Sequence, residues 1–223
     1  MSSKKVLVTC ADKYMGSAVV KKFKTLDYDV FADCQELVTQ TQCEGLIQTA
    51  GDIDVLVLNL AEPPKTAPVQ SIKNEDWHVL FKTLVDPLMF LVRAAVPQML
   101  KRQSGKIIAI TSAAPLRGIA NNAAYCSARG AQNAFIKAVG IEMARSGIQV
   151  NAIAQNYINN DTYYPDQLLS DDKFLDHVRR NVPTNKVGLA TETSELAAYL
   201  ANENCNHLYK KFDLRKLYQD LRK

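Results

Sequence analysis

Short runs of aliphatic and β-branched residues alternate along the chain with longer helical patterns. The runs are KVLVTC, DVFAD, DVLVLNL, KIIAIT and VNAIA, which begin at residues 5, 29, 54, 106 and 150. Their hydrophobicity is continuous rather than alternating, which is typical of strands that are covered on both faces. We therefore predict an α/β fold, a doubly wound, Rossmann-like parallel sheet with helices on both faces.

The connection between the second and third runs is unusually short. Only 20 residues separate Asp33 from Asp54, and a passage of helix, strand and helix needs more than that. We therefore expect one element to be lost or vestigial here. The whole pattern predicts a single Rossmann-like domain over residues 1–205, followed by a basic tail over residues 206–223 that is either a short helix or disordered.

Two helical patterns are apolar around more of their circumference than one sheet can cover. They span about residues 75–102 and 124–145. We expect these helices to pack against a second copy of the protein, which would make it a homo-oligomer, either a dimer or a tetramer.

The charge and the apolar runs of the chain bear on two kinds of partner, nucleic acids and membranes. The formal net charge is +4, but the stretch over residues 207–223 contains six Lys and Arg against two Asp and accounts for all of it. Because the rest of the chain is near neutral, nothing indicates a nucleic-acid partner. No apolar run approaches the roughly 20 residues needed to cross a bilayer, and no signal peptide is evident, so we expect a cytoplasmic protein without membrane contact.

Cysteine and histidine spacing gives no sign of a metal site. The five cysteines are odd in number and lack C-x-x-C spacing, so neither a disulfide framework nor a zinc site is predicted. His78, His177 and His207 lie far apart in the sequence without ligand spacing, and we expect surface or core roles for them.

The segment after the first strand, TCADKYMG over residues 9–16, is poorly suited to a dinucleotide. Such a site needs several glycines, so that the turn is tight and the pyrophosphate can approach backbone N–H groups. Only Gly16 is present, and Tyr14 stands where a second glycine would fall. Tyr14 either fills space that a coenzyme needs or packs into the core. Asp33 stands where an acidic residue would bind a ribose hydroxyl, although a solvated aspartate at a strand end is an equal alternative.

Ser112, Tyr125 and Arg129 are the candidate catalytic residues. Tyr125 and Arg129 are four positions apart and would share one face of a helix. A free tyrosine has a pKa of about 10, so its use as a base near neutral pH requires about 4 kcal/mol of preferential phenolate stabilisation. A permanent cation supplies part of that. From spacing alone, an ion pair on the helix surface is the alternative role for Arg129.

The arrangement of these residues resembles the Ser, Tyr-x-x-x-Lys pattern of short-chain dehydrogenases/reductases, with Arg129 in place of lysine. That replacement, together with the glycine-poor first loop, is similar to the halohydrin dehalogenases, and the resemblance covers roughly residues 4–205. Leu84 stands where many dehydrogenases carry a proton-relaying asparagine. VNAIAQNY replaces their Val-Asn-Ala-Ile-Ala-Pro-Gly, and the following INNDTYYP resembles the aromatic halide loop of the dehalogenases.

The resemblance implies a coenzyme-free dehalogenation of vicinal halohydrins. Tyr125 would take the proton of the substrate hydroxyl while Ser112 holds that oxygen, and the alkoxide would expel halide to form an epoxide. Azide, cyanide or nitrite would open epoxides in the reverse direction. The implied site for halide and substrate consists of Tyr14, Gln155, Asn156, Tyr157, Ile158 and Tyr164. Relatives also end in a glycine-flanked last strand, which we expect to be missing because no glycine follows Gly188.

Two other functions stay open at this point. One is a divergent NAD(P)-dependent oxidoreductase that keeps Asp33 and tolerates a tight first loop. The other is a non-catalytic protein of the same fold that binds a small ligand or a partner.

Overall fold

A five-stranded parallel sheet runs through the centre of the protein. The computed structural model describes residues 3–205 and orders the strands β2-β1-β3-β4-β5. Every neighbouring pair is parallel. The strands are β1 (Lys5–Val8), β2 (Asp29–Ala32), β3 (Val55–Leu58), β4 (Gly105–Ser112) and β5 (Ile148–Gln155). All five predicted strands and their parallel arrangement are confirmed.

Helices cover both faces of this sheet. Helices α1 and α9 pack together on one face, and α2, α3, α4 and α6 form the layer on the other. In the described residues the helices are α1 (Gly16–Lys24), α2 (Gln40–Ala50), α3 (Asn74–Leu84), α4 (Asp86–Arg102), α5 (Ala114–Arg117), α6 (Ala123–Met143), α7 (Asp166–Leu169), α8 (Asp172–Asn181) and α9 (Ala190–Ala201).

The two layers explain the continuous hydrophobicity of the strands. Successive side chains of a strand point to opposite faces of the sheet. In β1, Leu7 lies in the core beneath α4 and α6, whereas Val6 and Val8 lie in the core beneath α1 and α9. Each strand must therefore be apolar at consecutive positions.

The short passage between β2 and β3 contains one helix. α2 begins after Thr39, whose hydroxyl accepts the Gln42 N–H while the Gln42 side chain accepts the Thr39 N–H. This reciprocal capping fixes the start of the helix. No further strand lies between β2 and β3, a passage that the structure describes in full, so the predicted loss of an element is confirmed.

The helical pattern over residues 75–102 is divided into two helices, α3 and α4, that meet at Val85. Pro87 lies in the first turn of α4, where its missing N–H costs nothing and its ring favours a new helix start. The pattern over 124–145 is one helix, α6, followed by a single 3₁₀ turn over Ala144–Ser146. Contact of these helices with a second copy stays a prediction.

The end of the chain is described as far as Cys205. Between β5 and that residue the structure has isolated bridges, Ile158 with Gly188 and Asn160 with Tyr164, but no further strand. The predicted tail over residues 206–223 lies outside the described residues. Over residues 3–205, no helix is both long enough and apolar enough to cross a membrane.

The topology determines where a ligand can bind. The chain order reverses between β1 and β3, and ligands of open α/β sheets bind beyond the carboxyl ends of the strands at such a point. The loops after β1, β3, β4 and β5 meet at this edge. They begin at Thr9, Asn59, Ala113 and Asn156.

Candidate active site

Arg129 lies at the centre of this edge and is completely buried. It projects from α6, and its guanidinium makes four hydrogen bonds. Nε donates to the Tyr125 hydroxyl at 3.2 Å, and Nη2 donates to the Tyr163 hydroxyl at 2.6 Å. Nη1 donates to the Leu60 carbonyl at 3.1 Å and to Gln132 Oε1 at 2.8 Å. Arg129 is therefore fixed by α6 and by the loops after β3 and β5.

All four acceptors are electrically neutral. Over residues 3–205, Arg129 forms no ion pair with a carboxylate. Its guanidinium carbon instead lies 5.5, 5.8 and 5.9 Å from the ring centroids of Tyr125, Tyr14 and Tyr163. A buried cation without a counter-ion is costly, and it strongly favours any negative charge that forms beside it. The alternative of a surface ion pair is excluded.

The Arg129 guanidinium stays protonated in this environment. Burial by itself lowers the pKa of the guanidinium, but the surrounding oxygens of Tyr125, Tyr163 and Tyr14 raise it above its usual range. The charge is thus permanent, and Arg129 cannot pass protons as a lysine could.

Two of the three tyrosines around Arg129 are held as neutral phenols. The Tyr163 hydroxyl donates to the Glu62 carbonyl at 2.8 Å and accepts the Glu62 N–H at 3.1 Å. The Tyr14 hydroxyl donates to the Thr111 carbonyl at 3.4 Å. Burial raises the pKa of both phenols, although the Arg129 charge opposes the rise. Neither is suited to act as a base.

Tyr125 differs from both neighbours. It lies in the first turns of α6, it is 7% exposed, and its hydroxyl accepts the Arg129 Nε–H. In the part of the chain that the structure describes, this hydroxyl donates to no backbone carbonyl; its other neighbour is the Tyr163 hydroxyl. Tyr125 is therefore the phenol of this cluster whose proton is not committed to the backbone.

Ser112 ends β4 at the same edge and is 8% exposed. Its hydroxyl oxygen accepts the Ala114 N–H at 3.1 Å, which leaves the O–H free to donate to a ligand. Among the described residues, no direct hydrogen bond joins Ser112 to Tyr125 or Arg129. The structure thus brings Tyr125 and Arg129 into contact and places Ser112 on a neighbouring element.

The loop after β5 carries the predicted halide residues. Gln155 is buried at the strand end, where its Oε1 accepts the Thr193 hydroxyl at 2.9 Å and its side chain also interacts with the Tyr14 hydroxyl. Asn156 is exposed. Tyr157 and Ile158, the next two residues of the loop, are both buried.

Tyr157 has a left-handed backbone, with φ of +50°. Its carbonyl accepts the Gly188 N–H at 2.9 Å. In the described chain, however, neither the Tyr157 N–H nor the Ile158 N–H donates a hydrogen bond. Consecutive N–H groups next to a left-handed residue form the concave donor arrangement that binds small anions. These two amides are therefore candidates for holding a halide.

The first loop is closed by the protein itself. Asn59 Nδ2 donates to the carbonyls of Cys10 and Lys13, both at 2.9 Å, and Asn59 Oδ1 accepts the Met15 N–H. Cys10 and Tyr14 have φ of +47° and +55°, a conformation that favours glycine. A Cβ on Gly16 would lie 2.5 Å from the Cys10 carbonyl oxygen. The Tyr14 ring packs against Tyr163 in a tilted arrangement, with centroids 5.0 Å apart and an angle of 57° between the ring planes.

This arrangement does not fit the nicotinamide end of a coenzyme. The resemblance to dehydrogenases would place a ribose at the residue that replaces lysine, and here the Tyr163 hydroxyl occupies the Nη2 side of Arg129. The backbone groups of Glu62 are bound to the same hydroxyl.

At the opposite end of this edge, beyond β2, lies the buried carboxyl group of Asp33. Asp33 follows β2 and is 3% exposed, and its Oδ2 atom has no hydrogen-bond partner among residues 3–205. Burial raises the pKa of this carboxyl group. An unsatisfied buried acceptor is rare, and it is compatible with a ligand hydroxyl such as that of a ribose. The alternative of a solvated strand-end aspartate is wrong.

Sequence reasoning missed several residues of this site. It assigned the rings of Tyr14 and Tyr164 to the halide site; in the structure Tyr163 packs against Tyr14, and Tyr164 packs between the rings of Tyr157 and Phe174. The missed residues that hold the site together are Asn59, Glu62, Gln132, Asn160, Thr162 and Tyr163. Gln132 could have been found, because it is three positions from Arg129 on the helix.

His78 and His177 are exposed on their helices, which agrees with the expected surface roles, and His207 lies outside the described residues. His177 Nε2 lies 2.7 Å from the Tyr157 hydroxyl, which brings α8 against the loop after β5. Asp171 caps this helix through its carboxylate, which accepts the Phe174 N–H at 2.7 Å. Within residues 3–205, no three metal-ligating side chains are gathered.

Comparison by sequence shows that the chain is similar to reductases that act on acyl carrier protein substrates by name. A family model described as enoyl-(acyl carrier protein) reductase matches residues 7–207. Relatives include the 3-oxoacyl-(acyl-carrier-protein) reductases of Rickettsia prowazekii, 26% identical over 77% of this chain and 69% of that one, and of Haemophilus influenzae, 28% identical over 76% and 68%.

Comparison of folds brings in a second group of proteins. A structure titled "Dehalogenation enzyme" is 26% identical, covers 94% of this chain and 95% of its own, and has a TM-score of 0.83. A halohydrin dehalogenase bound to ethyl (2S)-oxiran-2-ylacetate is 24% identical, with 94% coverage of both chains and a TM-score of 0.83. The protein ElxO with NADP bound is 22% identical, covers 95% and 96%, and has a TM-score of 0.85.

Proposed function

The chain belongs to the short-chain dehydrogenase/reductase family, and from that premise we propose that it is a coenzyme-independent halohydrin dehalogenase. Its substrates would be vicinal halohydrins and its products epoxides and halide ions, with epoxide opening by small anions as the reverse reaction. Tyr125, Arg129 and Ser112 carry the chemistry in this proposal.

The observation that carries the proposal is the buried guanidinium of Arg129 without a counter-ion. Its charge favours an anion beside it, and of the three surrounding phenols two donate their protons to backbone carbonyls. The remaining phenol, Tyr125, is bonded to Arg129 Nε. A permanent cation beside one uncommitted phenol is the arrangement that a tyrosine base requires.

The reaction is an intramolecular displacement. The phenolate oxygen of Tyr125 takes the proton of the substrate hydroxyl, while the Ser112 O–H donates a hydrogen bond to that same oxygen. The resulting alkoxide attacks the neighbouring carbon, the new C–O bond closes the epoxide, and the carbon–halogen bond breaks with its electron pair on the halide. No oxidation or reduction occurs.

The leaving halide needs donors that carry no full charge, since a fixed cation at this position would hold the product too tightly. We place it at the N–H groups of Tyr157 and Ile158, which lack acceptors within the described chain. Preformed backbone donors of this kind stabilise charge where it develops in the transition state.

The two dehalogenase structures support the proposal through their likeness in fold, and one of them has an epoxide ester bound. The first is as similar to this chain in sequence as one of the reductases, at 26% identity.

A second candidate function is that of an NAD(P)-dependent oxidoreductase. Asp33 favours it, because one oxygen of its buried carboxyl group has no hydrogen-bond partner among the described residues, and the reductase relatives favour it as well. The contacts of Tyr163 with Arg129 and Glu62 oppose it.

One assay separates the two functions. The purified protein is incubated with 1,3-dichloro-2-propanol, with and without NADP⁺, and chloride and epoxide are measured. We expect equal amounts of both products, with rates that do not depend on the coenzyme. Absence of chloride, combined with NADPH oxidation on a 3-oxoacyl thioester, would establish the reductase instead.

A further inference from the structure

A cavity of about 540 Å³ lies next to the reaction centre, between the loop after β5, the segment over residues 181–188 and the start of α9. Its wall includes Ala113, which follows the catalytic Ser112, and Gln155, which contacts Tyr14. The cavity therefore adjoins the site where a substrate oxygen would bind.

The size of this cavity exceeds what a short halohydrin requires. Cavities of roughly 300–1,000 Å³ serve ligands as large as drugs and coenzymes. Much of the wall is apolar, with Ile158, Val182, Pro183 and Leu196 among its residues. This lining suits a carbon chain that extends from the reacting carbons.

The charges at the cavity are mainly positive. Arg117 and Lys186 line it, and neither forms an ion pair with a carboxylate of residues 3–205. Arg117 Nη2 donates to the Tyr157 hydroxyl at 3.3 Å, and its guanidinium lies over the Tyr157 ring. His177 faces the same hydroxyl from α8.

One acidic residue faces the same space. Glu192 also lines the cavity, but its Oε2 atom accepts the Leu189 N–H at 2.7 Å at the beginning of α9. Its charge is thus directed to the helix N-terminus, where a carboxylate is stabilised by the backbone. The two cations are left to face a ligand.

We propose that this cavity binds the far end of the substrate, and that this end carries an anionic group such as a carboxylate held by Arg117 and Lys186. The inference rests on the proposed function and deepens it, since it names the class of halohydrin or epoxide that the protein prefers.

The kinetic test compares 4-chloro-3-hydroxybutanoate with its ethyl ester, which lacks the charge. The wild type should have a higher kcat/KM for the acid. In Lys186→Gln and in Arg117→Gln, the ratio of acid to ester should fall about tenfold, because each cation contributes a charge-assisted hydrogen bond. The matched control Lys101→Gln removes an exposed charge from α4 and should leave the ratio unchanged.

The binding test keeps the inference separate from the proposed activity. Dissociation constants of unreactive 3-hydroxybutanoate and its ethyl ester are measured by ligand-observed NMR in the same variants. Tighter binding of the acid, weakened by Lys186→Gln and not by Lys101→Gln, supports the anionic subsite. This support holds even if the protein releases no chloride, because the absence of chloride would overturn only the dehalogenase proposal. Equal binding of acid and ester, or acid binding that neither Arg117→Gln nor Lys186→Gln affects, would overturn the inference.

Discussion

Arg129 and Asp33 are both buried charged side chains at the carboxyl edge of the sheet, but their surroundings differ. Four neutral acceptors satisfy the Arg129 guanidinium, and the protein supplies all of them. Asp33 instead keeps one oxygen without a hydrogen-bond partner among the described residues. The protein's own groups satisfy Arg129 completely, whereas Asp33 is buried with one acceptor atom unsatisfied.

This difference shows how one fold can be adapted at one end of its ligand crevice and preserved at the other. Tyr14 and Tyr163 close the space beside Arg129, and Tyr163 ties it to the loop after β3. Asp33 is also enclosed by the protein, but no described residue donates a hydrogen bond to its Oδ2 atom. If the protein is a dehalogenase, activity should depend on the first region and be nearly independent of the second.

The largest effect is expected for Tyr125→Phe. Removing the proton acceptor should lower the rate of chloride release on the order of 10³-fold, because general base catalysis contributes that much. Asp33→Asn should change the same rate little. Circular dichroism confirms that both variants are folded, and comparable losses in the two variants would break the distinction between the regions.

Arg129→Lys should lower activity less and change its pH dependence. An ammonium carries its charge at a different place, is more strongly hydrated and, once buried, loses its proton more readily than arginine. The cation that favours the phenolate would then be lost as the pH rises. We expect activity to decline at alkaline pH where the wild type retains it. An identical pH–rate profile would contradict the electrostatic role of Arg129.

Tyr163→Phe removes three hydrogen bonds, those to Arg129 and to both backbone groups of Glu62. Because the buried Arg129 guanidinium and both backbone groups of the half-buried Glu62 lose a partner, the free energy of unfolding should fall by about 2–3 kcal/mol.

The matched control for this variant is Tyr164→Phe. The Tyr164 ring packs against Tyr157 and Phe174, but its hydroxyl makes no hydrogen bond within residues 3–205. Its removal should cost less than about 0.5 kcal/mol. Urea denaturation measures both values, and equal losses would show that the Tyr163 hydroxyl does not organise the site.

Asp33→Asn should have the smallest effect on stability, with a sign that depends on pH. Burial raises the pKa of Asp33, so as the pH rises the folded protein releases this proton later than the unfolded chain does. The carboxyl group therefore makes the wild type less stable as the pH rises above the unfolded value of about 3.9. At pH 7 the variant should be at least as stable as the wild type, and its advantage should shrink towards pH 4. A variant that is less stable at pH 7 would show that the ionised carboxylate has a stabilising partner.

The fold was predictable because its signal is local and repeated. Each strand is apolar at consecutive positions since both faces are buried, and Val6, Leu7 and Val8 alone already indicate this. The break at Val85 was missed because an apolar pattern continues through it, although Pro87 marks a helix start.

The site was predictable only in part. Tyr125 and Arg129 share a helix turn, so their contact follows from spacing. The choice of Tyr163 over Tyr164 depends on how the loop after β5 folds back, which Asn160 controls by accepting the Thr162 and Tyr163 N–H groups. The burial of Asp33 depends on the neighbouring loops. Such contacts between distant segments leave no periodic pattern in a single sequence.

A crystal of the protein soaked in bromide tests the halide site directly. The proposed mechanism requires that a small anion binds at the N–H groups of Tyr157 and Ile158, at the edge beside Tyr125 and Arg129. It predicts an anomalous bromide peak within hydrogen-bonding distance of both amides. A crystal that shows no peak there, and that instead binds NADP⁺ along the edge from Asp33 to Arg129, would contradict the account.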